Sequence, residues 1–498
     1  MNFLKITRKT LFVLLMLNDL VIAQTPIGSE VQVNTESTNH QYEPIISSGG
    51  NGNYIVVWTS IGQDEPTGSS EGVYAQLFDE NDMPLNTEFL VNGITTSGQQ
   101  YRPAVAMNVD GSFIITWTSL MPASDEDVLM KLFDLNGNAI SGPTTVNTNL
   151  GFNQSNSEIS MDKNGNYAIT WVTFGFASGD DVLLQTYDST GVPISGEIVV
   201  NQTTTDQQTQ MNISVSENGI VAVVWMSNNQ DGDQQGVYCR LFDLQGNALS
   251  NEFLVNSFTG NSQHSPKVSF APNDNFIVVW TSINQDSSAS SIYAQIFNQT
   301  GSPIGSEFKV NTEISNGQQG RSFISTDTLS NFLIAWDSDI EDGSGNAVIA
   351  QIFDSTGSKR GSSFIVNTFT NLDQEDATTT FHENGDFTIC WVSENQDGDG
   401  AGVYAQRYSL DNLTTSIPVE TSDFSVYPNP AKNIVQLNAE NLKELKVYSM
   451  DGNPIPQSRI GTTHDEAIVD LSGLPAGFYL IKIINTKNQY FYKKVILN

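Results

Sequence analysis

Two short loops place oxygen donors at the spacing a hard cation favours. In Asn229-Gln-Asp-Gly-Asp-Gln-Gln-Gly236 and Asn395-Gln-Asp-Gly-Asp-Gly-Ala-Gly402, aspartate alternates with glycine. Calcium accepts irregular cages of carboxylate and carbonyl oxygen, which points to Asp231, Asp233, Asp397 and Asp399 as ligands. No Glu stands at the twelfth loop position, so neither loop is an EF-hand. The same residues also build Asx turns, in which Asp and Gly simply make the bend. The sequence leaves both readings open. A second group falls at the starts of expected strands: Glu43, Arg102, Glu158, His264, Arg321, Glu375 and Asp376. Gathered at the mouth of a central channel they would form an acid/base or anion-binding set. Scattered, they are loop-end charges. No nucleophile–base arrangement recurs, so no catalytic residue is assigned.

A repeat must hold these groups. Trp58, Trp117, Trp171, Trp225, Trp280, Trp336 and Trp391 follow one another at intervals of 54 to 59 residues. Each ends an apolar run such as Tyr54-Ile-Val-Val-Trp58 or Phe276-Ile-Val-Val-Trp280. A second run follows, as in Val73-Tyr-Ala-Gln-Leu-Phe-Asp79, and then a third, as in Glu88-Phe-Leu-Val-Asn92 or Glu307-Phe-Lys-Val-Asn311. A weaker run precedes each Trp run, as in Pro103-Ala-Val-Ala106. Asn51-Gly52, Asp110-Gly111, Asn164-Gly165, Asn218-Gly219 and Asn384-Gly385 suit tight hairpin turns. The Trp runs are apolar on both faces, as expected of strands between neighbouring sheets. Four antiparallel strands repeated seven times predict an all-β chain with a seven-bladed β-propeller over 24–410. A linear β-solenoid is the rival.

The chain ends favour the ring. Thr25-Pro-Ile-Gly-Ser-Glu-Val-Gln-Val-Asn-Thr35 copies Ser302-Pro-Ile-Gly-Ser-Glu-Phe-Lys-Val-Asn-Thr312, yet its partner half-hairpin is missing before it. Val403-Tyr-Ala-Gln-Arg-Tyr408 has that first half and lacks the return. Pairing the two removes both exposed edges. The Trp residues then read as packing between blades. Cys239 and Cys390 lie three blades apart, too far for a disulfide, and read as small buried hydrophobes. The loops after Trp hold eighteen acids, among them Asp64, Asp125, Asp181, Asp286, Asp337 and Glu394, and no Lys or Arg. They predict one strongly acidic face that favours divalent cations or a cationic partner.

The formal net charge of -34 and pI near 4.1 exclude duplex nucleic acid and disfavour an anionic membrane surface. Lys5, Arg8 and Lys9 precede the short apolar stretch Leu11 to Leu17, and Val21-Ile22-Ala23 offers a cleavage site before Gln24. Residues 1–23 therefore read as a secretory signal, cleaved between Ala23 and Gln24. No later apolar stretch approaches the length of a transmembrane segment. Residues 24–423 carry 10 Lys+Arg against 48 Asp+Glu, whereas residues 424–498 carry eight against six. This break places a linker at 411–423.

Two resemblances follow. The unit Val-Asn-Thr…Pro…Trp-x-Ser…Gln-Asp-Gly…Gly-Val-Tyr-Ala-Gln-x-Phe-Asp…Gly-x-Pro is similar to repeats of large secreted bacterial proteins, which implies a secreted scaffold and no particular activity. Phe424-Ser-Val-Tyr-Pro-Asn-Pro-Ala431, Leu445-Lys-Val-Tyr448 with Asp451-Gly-Asn-Pro454, Leu474-Pro-Ala-Gly-Phe-Tyr-Leu-Ile-Lys482 and Lys493-Lys-Val-Ile-Leu-Asn498 resemble the type A C-terminal sorting domain of the type IX secretion system of Bacteroidota. The residues that carry the match are Tyr427, Pro428, Asn429, Pro430, Gly477, Lys493 and Lys494. The resemblance implies a small Ig-like β-sandwich, passage through the translocon to the outer-membrane surface, and removal by a surface sorting peptidase with anchoring or release. The expectation is a secreted or surface-displayed binding or adhesion propeller whose glycan or protein ligand is open. The alternative is a secreted hydrolase or lyase acting on polysaccharide. Absence of Ser-x-Asp-x-Gly-x-x-Trp boxes counts against its glycosidase form.

Overall fold

Short runs of Val, Ile, Tyr and Phe between Gly, Asn and Asp turns satisfy their backbone groups most readily by strand pairing. In the computed structural model the regular elements of the described residues are all β-strands. The described residues are 24–410 and 426–497, apart from short stretches at 51, 65–69, 94–97, 122–124, 150, 177, 287, 314–316, 340, 439–441, 450–454, 457–458, 463–465, 476 and 486–489. The signal segment with Ala23 and the linker 411–423 lie outside them. Contacts divide the chain into two units, Met1–Asp411 and Asn412–Asn498.

In the first unit, each Trp run is the second strand of an antiparallel repeat. The first repeat runs Gln41–Ser48, Tyr54–Ile61, Glu71–Phe78 and Phe89–Leu90, in that spatial order. The innermost strands of the seven repeats are Gln41–Ser48, Gln99–Met107, Gln154–Met161, Thr205–Val215, Gln263–Phe270, Gln319–Thr326 and Gln374–Phe381. Each packs against the next, and the last packs against the first. A short parallel pairing of 178–180 with 205–207 fuses the third and fourth repeats into one sheet. The outer strands are thinner than expected: five are two residues long, and only Pro303–Lys309 and Gln24–Gln32 are extended.

The seventh repeat takes its outer strand from the other end of the chain. Gln24–Gln32 runs antiparallel to Ala401–Leu410, with Thr25 opposite Ser409 and Val31 opposite Ala405. The side chain of Asn34 repeats a contact found in every unit. Asn92, Asn147, Asn201, Asn256, Asn311 and Asn367 each accept the N–H of a third-strand residue of their own repeat, and Asn34 accepts that of Val403, all at 2.7–3.0 Å. Glu residues at the outer strands tie neighbours together. Glu88 accepts the Thr35 N–H and Glu307 the Ser257 N–H, both at 2.6 Å, and Glu30 accepts the Thr368 N–H.

All seven Trp side chains are fully buried between adjacent repeats. Trp117 packs on Ile55, Val57 and Val73 of the first repeat, and Trp58 packs on Cys390 and Val403 of the seventh. Four of the indoles donate to a buried Gln seventeen residues upstream, as Trp117 does to Gln100 at 2.9 Å. Cys239 and Cys390 are buried and free.

The seam between the seventh and first repeats differs in chemistry. Arg407 stands where other repeats place Leu77, Leu132 or Ile352. Its side chain, 3% exposed, meets Asp82 at 3.3 Å and Asp386 at 3.6 Å and donates to the Glu80 carbonyl at 2.7 Å. Nearby His382 is buried, with Nε2 2.8 Å from Thr388 Oγ1 and its ring edge against Tyr54. Burial, then the Arg407 charge, pushes this imidazole down to about 3. The unfolded histidine takes a proton below about pH 6.5, whereas the folded one stays neutral until about 3. Stability is therefore lost as pH falls from 6.5 toward 3, by about 2 kcal/mol at pH 5. Thermal melts of His382→Asn should show a flatter acid limb than the parent; parallel limbs would contradict the assignment.

The second unit has its own core. A four-stranded sheet (Val426–Tyr427, Ile434–Asn438, Glu466–Asp470, Ile460–Thr462) and a three-stranded sheet (Leu442–Ser449, Gly477–Asn485, Tyr490–Leu497) enclose Val435, Leu437, Val447, Val469, Ile481 and Val495. Its motif residues join the two ends of the unit. Asn429 Oδ1 accepts the Ile496 N–H at 2.9 Å, and the Ala431 N–H donates to the Ile496 carbonyl at 2.7 Å. Tyr427 pairs with Gln436, Gly477 with Leu497, Lys493 with Ile481 and Lys494 with Leu480. Pro428 and Pro430 follow cis peptide bonds.

Candidate functional site

Each innermost strand slips register once against its neighbour, for example between Tyr42 and Ile45 and between Gly320 and Phe323. One residue in each slip has positive φ: Glu43 (54°), Arg102 (52°), Asn156 (59°), Gln210 (51°), Ser265 (53°), Arg321 (46°) and Asp376 (57°). None is glycine, and all stand fifteen residues before the Trp of their repeat. Such a conformation costs about 1–3 kcal/mol for a residue with a Cβ. A bulge re-aims its side chain, and here all seven residues line one cavity of about 510 Å³. The repeats share Gln, Trp and Asn at fixed positions, yet the collar holds seven polar residues of six kinds. A symmetric scaffold thus presents an asymmetric polar ring.

The collar is cross-linked. Arg102 Nε lies 3.4 Å from Glu43 Oε1, its backbone N–H donates to Glu43 Oε2 at 3.1 Å, and its Nη1 donates to Asn156 Oδ1. The Ser265 N–H donates to Gln210 Oε1 at 2.8 Å. Arg321 Nη1 lies 2.9 Å from both Asp376 Oδ1 and Glu375 Oε2, and 3.9 Å from Asp337 Oδ2. Two residues further along each strand the lining changes to Ile45, Glu158, Lys267 and Phe323, with Lys267 Nζ 2.7 Å from Glu158 Oε1. Below lies a space of about 290 Å³ edged by hydroxyls that include Ser47, Ser160, Ser214, Ser269 and Thr380.

Burial raises the Glu43 carboxyl despite the opposing Arg102 charge. Asp337, directly after Trp336 and 6% exposed, is raised well above the usual carboxylate range by burial and then by Asp376. Its Oδ2 accepts the Asp376 N–H at 3.2 Å, and its Oδ1 has no hydrogen-bond partner. The arrangement offers fixed donors and acceptors, and one buried acid of raised proton affinity beside a paired carboxylate.

Of the charges expected at the mouth, Glu43, Arg102, Glu158, Arg321 and Asp376 line the cavity. Glu375 reaches it only through Arg321. His264 sits beside the collar, its pKa pushed down by burial, with Nδ1 3.0 Å from Ser265 Oγ. Asn156, Gln210, Ser265 and Lys267 also line it and were not expected.

The two Asp-Gly loops turn their second aspartates outward. Asp233 Oδ2 accepts the Asn261 N–H at 2.8 Å and Asp399 Oδ2 the Asn39 N–H at 3.3 Å, so each ties its loop to the following repeat. Asp231 and Asp397 pack on Gly236 and Gly402, where a Cβ would stand 2.7 Å from a carboxylate oxygen. This close approach explains the glycine that ends each loop. Among the described residues no three His, Cys, Asp or Glu side chains gather as a metal requires. The calcium expectation rests on the loop alternation alone.

The acidic face is less bare than expected. Lys309, from an outer strand, lies 2.6 Å from Asp286, and Arg321 reaches Asp337. Burial raises the Asp286 carboxyl, but Lys309 and Ser288 outweigh it and hold the group down at about 2. Asp127 and Asp181 accept from Asn147 and Asn201 at 2.7 and 2.6 Å.

Residues 425–498 match the family described as the secretion system C-terminal sorting domain. A domain of this kind implies handling by the type IX secretion system and export to the cell surface or beyond. No helix among the described residues is long and apolar enough to cross a membrane. No curated protein matches the chain. Among solved structures, a protein of unknown function from Dyadobacter fermentans is similar at TM-score 0.47 and 10% identity over 78% of this chain and 99% of its own. The α-L-arabinofuranosidase Arb93A of Fusarium graminearum gives 0.45 and 10% over 63% and 94%. The NanB sialidase of Streptococcus pneumoniae gives 0.43 and 8% over 78% and 71%. Likeness at this level assigns neither substrate nor activity to this chain.

Proposed function

We propose that residues 24–410 form a seven-bladed β-propeller, exported by the type IX system, whose channel mouth binds an extracellular ligand. In this reading residues 1–23 are a cleaved signal, 411–423 a linker, and the sorting domain a separable address. The cyclic packing of innermost strands supports the propeller. One observation carries the site: seven equivalent positions keep a disfavoured backbone conformation, and each spends it on a polar side chain at a single cavity. Strain retained in every repeat while the side chain varies fits a tailored binding site.

A hydrolase or lyase acting on polysaccharide is the second reading. It is favoured by Asp337, an acid whose proton affinity burial raises, sharing Arg321 with the collar carboxylate Asp376. Glycan and protein arrays probed with the secreted chain, beside a polysaccharide-hydrolysis screen, separate the two. The expected result is retention without product release, weakened about 10- to 100-fold by Arg321→Ala, since a hydrogen bond to a charged group contributes about 1.5–3 kcal/mol. Turnover lost in Asp337→Asn would replace the binding reading with the enzyme.

A further inference from the structure

Resting on the reading of the mouth as a binding site, we infer that it receives the end of an uncharged saccharide chain. The first observation is a floor. Lys267, from the fifth repeat, reaches past the fourth to Glu158 of the third at 2.7 Å. Both side chains are mostly buried, at 24% and 18% exposure, and the ammonium also stands 5.3 Å from the Phe323 ring of the sixth repeat. This bar joins three innermost strands just below the collar. Parting it would separate two mostly buried charges that now satisfy each other. A ligand therefore enters from the mouth and stops, so an end is recognised and the middle of a long chain is not. The space above, about 510 Å³, lies in the range that holds a ligand of a few rings.

The second observation is charge balance. The cavity has three cations, Arg102, Lys267 and Arg321, and each already faces a carboxylate, Glu43, Glu158 and Asp376. Arg321 also holds Glu375, so no unmatched cation waits for an anionic ligand. The surrounding 24–423 segment holds 48 acids against 10 bases, a field that repels polyanions. The remaining chemistry is directional and neutral. Asn156, Gln210 and Ser265 form an uncharged arc between the two arginines, whose side chains are 48% and 55% exposed. Vicinal hydroxyls donate and accept at once, which such a mixture of amide, hydroxyl, guanidinium and carboxylate groups can satisfy.

The test presents the secreted full chain with neutral oligosaccharides and with their uronic-acid and sulfated counterparts, at 50 and 500 mM NaCl. A neutral polysaccharide that binds is then compared before and after partial endo-hydrolysis. Neutral sugars should bind with less than twofold salt dependence. Protein bound per mass of polysaccharide should rise in step with the number of chain ends. Gln210→Ala should weaken binding about tenfold and Arg321→Ala about 10- to 100-fold, while Asp233→Asn leaves it unchanged. The hydrolysis comparison uses the unaltered chain, so it decides even where a variant fails to fold. Equal binding per mass before and after hydrolysis overturns end recognition. Collar-dependent binding confined to acidic glycans, and lost at high salt, overturns the uncharged ligand while leaving the mouth as the site. Binding that no collar variant alters overturns both.

Discussion

A chain that lacks residues 425–498 will stay within the cell envelope, while its first unit folds as before. The sorting-domain match covers just this segment. The segment encloses its own apolar core, in which Val435, Val447, Val469, Ile481 and Val495 are each at most 1% exposed. The first unit builds its Trp-centred clusters from its own strands. Removal should therefore abolish export with little change in the stability of residues 24–410. The motif geometry gives a finer version. Asn429→Ala removes the acceptor for the Ile496 N–H, a contribution of about 1 kcal/mol, and loosens the contact between the two ends of the unit. Immunoblots of periplasmic, surface and medium fractions would read both variants. Normal release of the truncated chain would show that the address lies elsewhere.

Much of the scaffold was legible because one period recurs seven times. The Trp spacing, the Asn-Gly turns and the orphaned half-hairpins each pointed to the same arrangement, and the Gln24–Gln32 pairing with Ala401–Leu410 sits where the copied segments required. The site was legible only where it was charged. Glu43, Arg102, Arg321 and Asp376 stood out as ions at strand starts. Asn156, Gln210 and Ser265 did not, because neutral polar residues there are indistinguishable from loop ends. The fixed fifteen-residue offset from Trp would have found all seven. Asp337 read as one more loop acid, although its place directly after Trp336 puts it in a buried strand. Lys309 was missed as a partner of Asp286 because the pair forms between strand and loop, 23 residues apart in sequence and invisible to a count made loop by loop.

Deleting residues 24–34 should have the largest effect on stability. The deletion strips the outer strand from the seventh repeat and exposes the backbone edge of Ala401–Leu410. It also removes the Asn34 acceptor from the buried Val403 N–H, and the Glu30 contacts to Thr368 and Gln396. Leaving one buried N–H unsatisfied costs about 1–3 kcal/mol, and the lost edge adds an open template for association. The variant should melt well below the parent and elute as aggregates, whereas Asn34→Ala alone should lower stability by about 1–3 kcal/mol and elute as the parent does.

The most direct measurement of the ring is a cross-link at its seam. Thr25 and Ser409 are direct partners in the antiparallel pairing, so their Cα atoms lie within the span a disulfide accepts. Cys239 and Cys390 are buried and will not compete. In a Thr25→Cys/Ser409→Cys chain, mild oxidation should close a bond within one molecule, consuming both new thiols with the monomer mass unchanged. A pair of free thiols under the same conditions, or disulfides only between molecules, would contradict the closed ring.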